Sequence, residues 1–439
     1  MKLTGLAVLI LTAVVIPGAL FSSLPQVRDS VALFSQYIGA VALILMAWAQ
    51  VWATRAPGVE SVFGGLDRVY VLHKWSGVAA MAAILLHDTI DAEMDALGRQ
   101  TALNELGETL GELSLYGLLI LAVISVATFI PYHLWKWTHK AMGAFFAAGA
   151  IHFLLIQKPF ALGDPLGLYI AAACVAGLLA YAVTLLPPRR RAHAVRDVWD
   201  TGGATAITLA PTGKTRFAAR PGQFAVVSFD APGLSEPHPF TLSAPVAEDG
   251  SLQITAKALG DWTARLPRAV APGTTAQVQG PFGRFTRRDG KQPEIWIAGG
   301  IGITPFLAWA EALGPEQTGP IHLFWAVRSE AEAPHLDRMR AAAAAHPALT
   351  LTLVASEQGH RLTAERIAET TDPAGARVAF CGPATLRRAL QQGLTRHGVT
   401  PRAFHYEEFE FRTGIGLRRL AAWIGARLAD RALPTRQNG

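Results

Sequence analysis

The sequence predicts a multi-domain chain: a six-helix transmembrane bundle, then a small antiparallel β-barrel, then an α/β domain built on a parallel sheet. Three observations carry this. Six long apolar runs crowd residues 1–187, the composition turns to that of a soluble α/β protein after Pro187 and Pro188, and the strand pattern changes again near residue 287. A chain of 439 residues is long enough for such a division.

The apolar runs cover about 4–22, 31–53, 69–90, 113–131, 135–156 and 167–186. Each approaches the ~20 residues a helix needs to cross hydrocarbon. The first has the look of a leader's apolar core, but five more follow, so it reads as a membrane helix. Basic residues orient the bundle: Arg55 and Arg68, Lys136 and Lys140, and Arg189, Arg190, Arg191 and Arg196 sit at one set of ends. By the positive-inside rule these ends face the cytoplasm, which predicts an integral protein of the cell (inner) membrane. Asp88, Asp91, Glu93, Asp95, Glu105, Glu108 and Glu112, against a single Arg99, read as an acidic outer loop. The net charge of +6 is concentrated at membrane edges and in the C-terminal tail, which points to anionic lipid and not to nucleic acid. Two cysteines, Cys174 and Cys381, are too few for a disulfide framework or a four-cysteine metal site.

Four histidines lie within the third and fifth runs: His73 and His87, fourteen apart, and His139 and His152, thirteen apart. Ionisable groups inside a bilayer are costly and tend to mark function, and neutral imidazole is a common axial ligand of haem iron. A fourteen-residue step rises about 21 Å and returns within roughly 40° of the same helix face, so His73 and His87 suit two haems stacked across the bilayer. A thirteen-residue step leaves His139 and His152 about 140° apart, which calls for a kink, a tightened turn or unlike rotamers, eased by Gly143 and Gly149. With both runs directed outward, His73 pairs with His139 at the inner side and His87 with His152 at the outer side. Four incidental histidines in a transport or sensor protein are the competing explanation.

Beyond the bundle, Ala204 to Leu209, Phe224 to Phe229, Leu252 to Ala258 and Thr275 to Gln279 read as short strands between Gly and Pro turns, the pattern of a small antiparallel barrel. From Glu294 onward, strands at Glu294 to Ala298, Ile321 to Ala326, Leu349 to Val354 and Arg377 to Phe380 alternate with helical stretches such as Pro305 to Leu313 and Ala384 to His397. Such alternation implies a parallel sheet covered by helices. Its first strand runs into Gly299, Gly300, Ile301, Gly302, Ile303, Thr304 and Pro305 and then a helix, the setting in which backbone N–H groups close on a pyrophosphate. A second loop, Cys381, Gly382 and Pro383, ends another parallel strand, and the two loops read as one nicotinamide nucleotide site. Arg328, just past a strand, is the candidate partner for a 2′-phosphate, with an ordinary solvated arginine as the alternative.

Within the barrel stand HPFTLS (His238, Pro239, Phe240, Thr241, Leu242, Ser243), KALGDWT (Lys257 to Thr263) and GPFG (Gly280 to Gly283). With GGIGITP, CGP and the four membrane histidines, the chain resembles the NADPH oxidase and ferric reductase superfamily over about residues 65 to 411. The likeness is to a prokaryotic member with a ferric-reductase-type membrane domain fused to a ferredoxin-reductase-type module. The stripe Leu417, Leu420, Ile424 and Leu428, with Arg418, Arg419, Arg427 and Arg431 elsewhere on the helix, reads as a basic amphipathic tail at 413–439 and departs from the family's pattern. The likeness implies domains at 1–187 (bis-haem bundle), 188–286 (FAD-binding barrel) and 287–412 (NAD(P)-binding). It further implies that His238, Pro239, Phe240 and Thr241 hold the flavin ring and ribityl chain of FAD. Lys257, Gly260, Asp261, Trp262 and Thr263 would hold its pyrophosphate. An aromatic near the chain's end, Phe411 with Phe409 as close rival, would cover the flavin where nicotinamide must enter.

The implied activity is electron transfer from NADPH or NADH through FAD and two b-type haems to an acceptor at the outer face. Oxygen and a ferric chelate are the expected acceptors, and a periplasmic protein or a quinone is the alternative. Asp91 stands one turn beyond His87, where oxygen-reducing eukaryotic members tend to have histidine, which weighs against oxygen as the evolved acceptor. A D-x-D-x-D-G calcium loop is missing, so calcium gating is not expected.

Overall fold

The computed structural model describes residues 3–24, 30–56, 58–90, 101–126, 130, 132–213, 217–287 and 289–407. The described residues divide into two compact units, one up to Pro187 and one from Pro188 onward.

The first unit is helical. Helix α1 runs through Leu3–Ile10, a π-helical stretch Leu11–Val15 and Ile16–Ser22. Proline explains the interruption. The N–H of Ile16 donates to the Leu11 carbonyl, and Pro17 has no N–H, so the Thr12 carbonyl loses its helical donor. The Tyr169 hydroxyl supplies one instead at 2.7 Å, as a carbonyl in hydrocarbon requires. Then follow α2 (Ser30–Ala53), α3 (Leu66–Thr89), α4 (Ala102–Val126), α5 (Tyr132–Leu155) and α6 (Pro165–Leu185). Among the described residues, five helices are long and apolar enough to cross a membrane: α1, α2, α3, α4 and α6. Helix α5 has the length, but Lys136, Lys140 and its histidines dilute its apolar content.

The acidic segment differs from expectation. Glu105, Glu108 and Glu112 lie on α4, which starts eleven residues before the predicted apolar run, and Asp88 lies at the end of α3. The helix begins early because Thr101 and Asn104 cap it reciprocally: Thr101 N–H donates to Asn104 Oδ1 at 2.9 Å and Asn104 N–H to Thr101 Oγ1 at 3.4 Å, while Asn104 Nδ2 donates to the Leu155 carbonyl at 2.7 Å. Hydropathy alone misses such a polar first turn.

In the second unit, β1 (Arg191–Asp200), β2 (Ala204–Pro211), β3 (Phe224–Phe229), β4 (His238–Thr241), β5 (Leu252–Lys257) and β6 (Thr275–Phe282) form an antiparallel sheet in the order β4-β3-β6-β1-β2-β5. A bridge between Leu242 and Ile254 draws its two edges together into a barrel. Val195, Ile207, Leu209, Val227, Phe229, Ile254 and Leu266 fill the interior, the last from helix α7 (Asp261–Ala269). The parallel sheet has β7 (Glu294–Gly299), β8 (Ile321–Val327), β9 (Leu349–Ala355), β10 (Arg377–Cys381) and β11 (Phe404–Glu407) in the order β11-β10-β7-β8-β9. Successive side chains of β7 serve opposite cores. Trp296 and Ala298 join Phe306 and Met339, while Ile295 and Ile297 join Phe380 and Leu394. Helices α8 (Thr304–Glu311), α9 (Leu336–Ala345), α10 (Ala364–Thr370) and α11 (Ala384–Arg396) cover it.

Candidate functional site

The four membrane histidines are built into two levels. At one level His73 on α3 and His139 on α5 face each other, with Nε2 atoms 3.4 Å apart. Their other nitrogens are tied off: His73 Nδ1 donates to the Ala49 carbonyl at 3.1 Å, and His139 Nδ1 lies 3.1 Å from Ser125 Oγ. At the second level His87 Nδ1 donates to the Ser35 carbonyl at 2.9 Å, and His152 Nδ1 to the Gly107 carbonyl at 2.8 Å. A carbonyl can only accept, so these three rings carry their proton on Nδ1 in the neutral form and keep Nε2 as a lone pair. That tautomer is the one an axial ligand needs, held by outer hydrogen bonds of the kind that orient metal-bound imidazoles. The donor set therefore fits haem ligation. Among the described residues no group of three or more His, Cys, Asp or Glu could hold a bare metal ion.

Fourteen and thirteen residues of helix place the second level about 20 Å beyond the first. Helix α5 is assigned without interruption from Tyr132 to Leu155, through both of its histidines. A Cβ on Gly111 would come within 2.7 Å of the His152 ring, so α4 passes that imidazole closely because it has glycine there.

In the second unit, the HPFT segment is the edge strand β4, and α7 brings Trp262 against it. The indole lies between His238 and Phe240, with ring centroids 4.3 Å and 5.6 Å away. Lys257 ends β5 on the same side of the chain's path, next to the turn that starts α7. Two of that turn's N–H groups, from Leu259 and Gly260, donate to Thr263 Oγ1 at 3.0 and 3.1 Å. Thr263 thus acts as a cap for the turn, and Lys257 Nζ lies 3.1 Å from Glu332 Oε2. Asp261 is exposed, 3.9 Å from Arg265.

The glycine loop and the CGP loop meet. Strand order in the parallel sheet reverses between β7 and β10, the point at which such sheets bind ligands. Gly299, Gly300 and Gly302 leave β7 there, Thr304 opens α8, and Cys381, Gly382 and Pro383 leave β10. A Cβ on Gly302 would run into the Cys381 carbonyl, and one on Gly299 would come 2.7 Å from Pro383. Trp325 Nε1 fixes the loop by donating to the Gly300 carbonyl at 3.0 Å. Arg328 lies past the end of β8 and is mostly exposed, 3.8 Å from Glu332. Phe411, Phe409 and the tail at 413–439 lie outside the described residues.

Some site residues escaped sequence reasoning. Glu407 pairs with Cys381 across β11 and β10 and is buried. Burial, and then Glu407, push the Cys381 thiol well above its ordinary pKa, so it stays protonated and is no nucleophile. Glu407 also touches the barrel, since a Cβ on Gly283 would lie 2.9 Å from its Oε1. The glutamate of FHYEEFEF was the signal available, hidden behind its aromatic neighbours. Thr255, Glu332 and His335, which join the barrel to the sheet, gave no local signal.

Comparison with known proteins agrees with this geometry. Residues 38–150 match the ferric reductase like transmembrane component, residues 205–297 an FAD-binding domain, and residues 296–392 the oxidoreductase NAD-binding domain. The chain is a ferric-reductase-type membrane component fused to an FAD- and NAD-binding oxidoreductase module. This ferric-reductase-type protein is an integral membrane protein, and its domain architecture is similar to that of the NADPH oxidases. It is 28% identical to NADPH oxidase 4 of Rattus norvegicus over 137 residues, 26% of this chain and 24% of that one. It is 27% identical to the electron transfer component of toluate 1,2-dioxygenase of Pseudomonas putida over 214 residues, 46% of this chain. The chain spans about three fifths of the length of the first curated relatives it matches, 62% and 60% for two of them. In fold it is similar to a flavohemoglobin from Malassezia yamatoensis, with a TM-score of 0.51 at 17% identity over 87% of this chain and 99% of that one.

Proposed function

We propose that the protein carries electrons from cytoplasmic NADPH or NADH across the cell membrane to an acceptor at the outer face. The observation that supports this best is the pairing of His73 with His139 in the same chain as the two loops at the sheet's switch point. Bound FAD would supply the change from hydride to single electrons, and two haems would supply one-electron carriers through the bilayer.

The protein's own work is binding and orientation. Gly300, Gly302 and the start of α8 receive the dinucleotide pyrophosphate, Arg328 is the cation available to a 2′-phosphate, and Cys381 and Glu407 border the place where the nicotinamide meets the barrel. His238, Phe240 and Trp262 would make the flavin wall, and Lys257, paired with Glu332 at 3.1 Å, is the cation its pyrophosphate would share. His73 and His139 would hold the inner haem, His87 and His152 the outer one, and Phe411, with Phe409 as its rival, is the aromatic expected to cover the flavin.

Oxygen and ferric iron both suit an exposed outer haem edge. Glu105, Glu108 and Glu112 are exposed at i, i+3 and i+7 on α4, on the face away from the His152 helix. That charge favours a neutral acceptor such as oxygen or a basic protein over an anionic ferric chelate. In inverted membrane vesicles, NADPH or NADH added outside is expected to release superoxide into the lumen or to reduce a ferric chelate trapped there, with a haem-dependent rate. Reduction only of acceptors on the nucleotide's own side would contradict the proposal.

A further inference from the structure

Strand β5 turns Leu252, Ile254 and Ala256 into the barrel core, so Gln253, Thr255 and Lys257 face the other way. Each of these three meets a residue of the segment that follows β8 in the nucleotide domain. Gln253 Oε1 accepts from Arg338 Nη1 at 2.9 Å, Thr255 Oγ1 lies 2.8 Å from His335 Nε2, and Lys257 Nζ lies 3.1 Å from Glu332. The seam is three rungs long, and its middle rung is buried on both sides.

That rung has a direction. The Thr255 hydroxyl donates to Ser243 Oγ at 2.8 Å, so His335 Nε2 must be the donor to Thr255. Arg338 Nη1 donates to the other ring nitrogen at 3.3 Å. The chain Arg338 to His335 to Thr255 to Ser243 needs a neutral imidazole in one tautomer, and burial, with Arg338 beside it, holds the His335 pKa down to about 4. Ser243 closes the HPFTLS segment, just past Thr241, the last of the residues expected against the flavin, and its own N–H donates to the Gln253 carbonyl at 2.8 Å. His335 takes a left-handed backbone, φ 61°, and its N–H donates to the Thr201 carbonyl of the barrel at 3.0 Å. A strained, buried, fully partnered histidine at a joint between two binding domains is more than filling.

We propose that His335 is a positioning residue: through Thr255 and Ser243 it holds the dinucleotide-binding sheet in register with strand β4, and so sets the approach of nicotinamide to flavin. It touches neither cofactor. The inference rests on the dinucleotide and flavin sites of the preceding reading.

Thr255→Val keeps the side chain's shape and removes the hydroxyl, leaving His335 and Ser243 without their shared partner. In the full-length, FAD-loaded protein, flavin reduction at saturating NADH or NADPH is expected to slow about tenfold while KM stays within about twofold, since register and not affinity is lost. Amide hydrogen exchange across residues 332–339 should rise in the same variant, and Thr255→Ser should restore both rate and protection. A valine variant with unchanged exchange, or one with raised exchange but a wild-type rate, overturns the proposal, as does a serine variant as slow as valine. If the wild-type protein takes no electrons from either nucleotide, the functional reading fails, and the exchange measurement still reports on the seam.

Discussion

His87→Ala is expected to lower the haem content from about two per chain to about one and to cut transmembrane electron transfer by at least roughly 100-fold. The reasons are local. His87 presents its only unengaged nitrogen, Nε2, from α3, because Ser35 holds Nδ1 with both its carbonyl and its hydroxyl, at 2.9 and 2.8 Å. Alanine leaves those groups facing a gap, and among the described residues no other cluster of metal-binding side chains exists to take over. The FAD site is in a separate unit, so flavin content and flavin reduction by NADH or NADPH should persist and serve as the check on folding. Retention of both haems by the alanine variant would show that His87 is not a ligand.

Gly302→Ala attacks the other end of the path. The added methyl would fall on the Cys381 carbonyl, which belongs to a sheet strand and cannot step aside as a side chain would. The glycine loop must therefore lift away from the CGP loop, and with it the N–H groups that receive the pyrophosphate. A displacement of about 1 Å at such a site costs on the order of 100-fold, so kcat/KM for both nucleotides should fall by that much. Haem reduction by dithionite, which bypasses the nucleotide, should be unchanged. An alanine variant within about threefold of wild type would mean that the loop is only a tight turn.

These two sites were legible in the sequence for different reasons. The glycine loop announced itself because a strand, a glycine turn and a helix are contiguous, and the structure places it at the switch point beside the CGP loop. The histidines were visible because imidazole is rare in apolar segments, although their spacing alone does not reveal the partners, Ala49, Ser35 and Gly107, that fix three of the rings. Strand β1 was missed since its period of two is broken by a bulge between Val195 and Asp197, and its arginines drew attention as membrane-edge charge. Strand β4 is only four residues long and contains Pro239, tolerable at an edge and a poor signal for a strand. The seam of Gln253, Thr255 and Lys257 was not legible at all: period-two alternation gave their outward face, but what lies opposite comes from a loop about 80 residues later.

The central claim is that one chain conducts electrons from nucleotide to haem. Anaerobic stopped-flow spectroscopy of the purified, FAD-loaded protein mixed with NADPH or NADH tests it most directly. The account predicts flavin bleaching followed by the absorption bands of reduced b-type haem, and reoxidation when an acceptor is added. Flavin reduction with no haem band in the wild-type protein would contradict it.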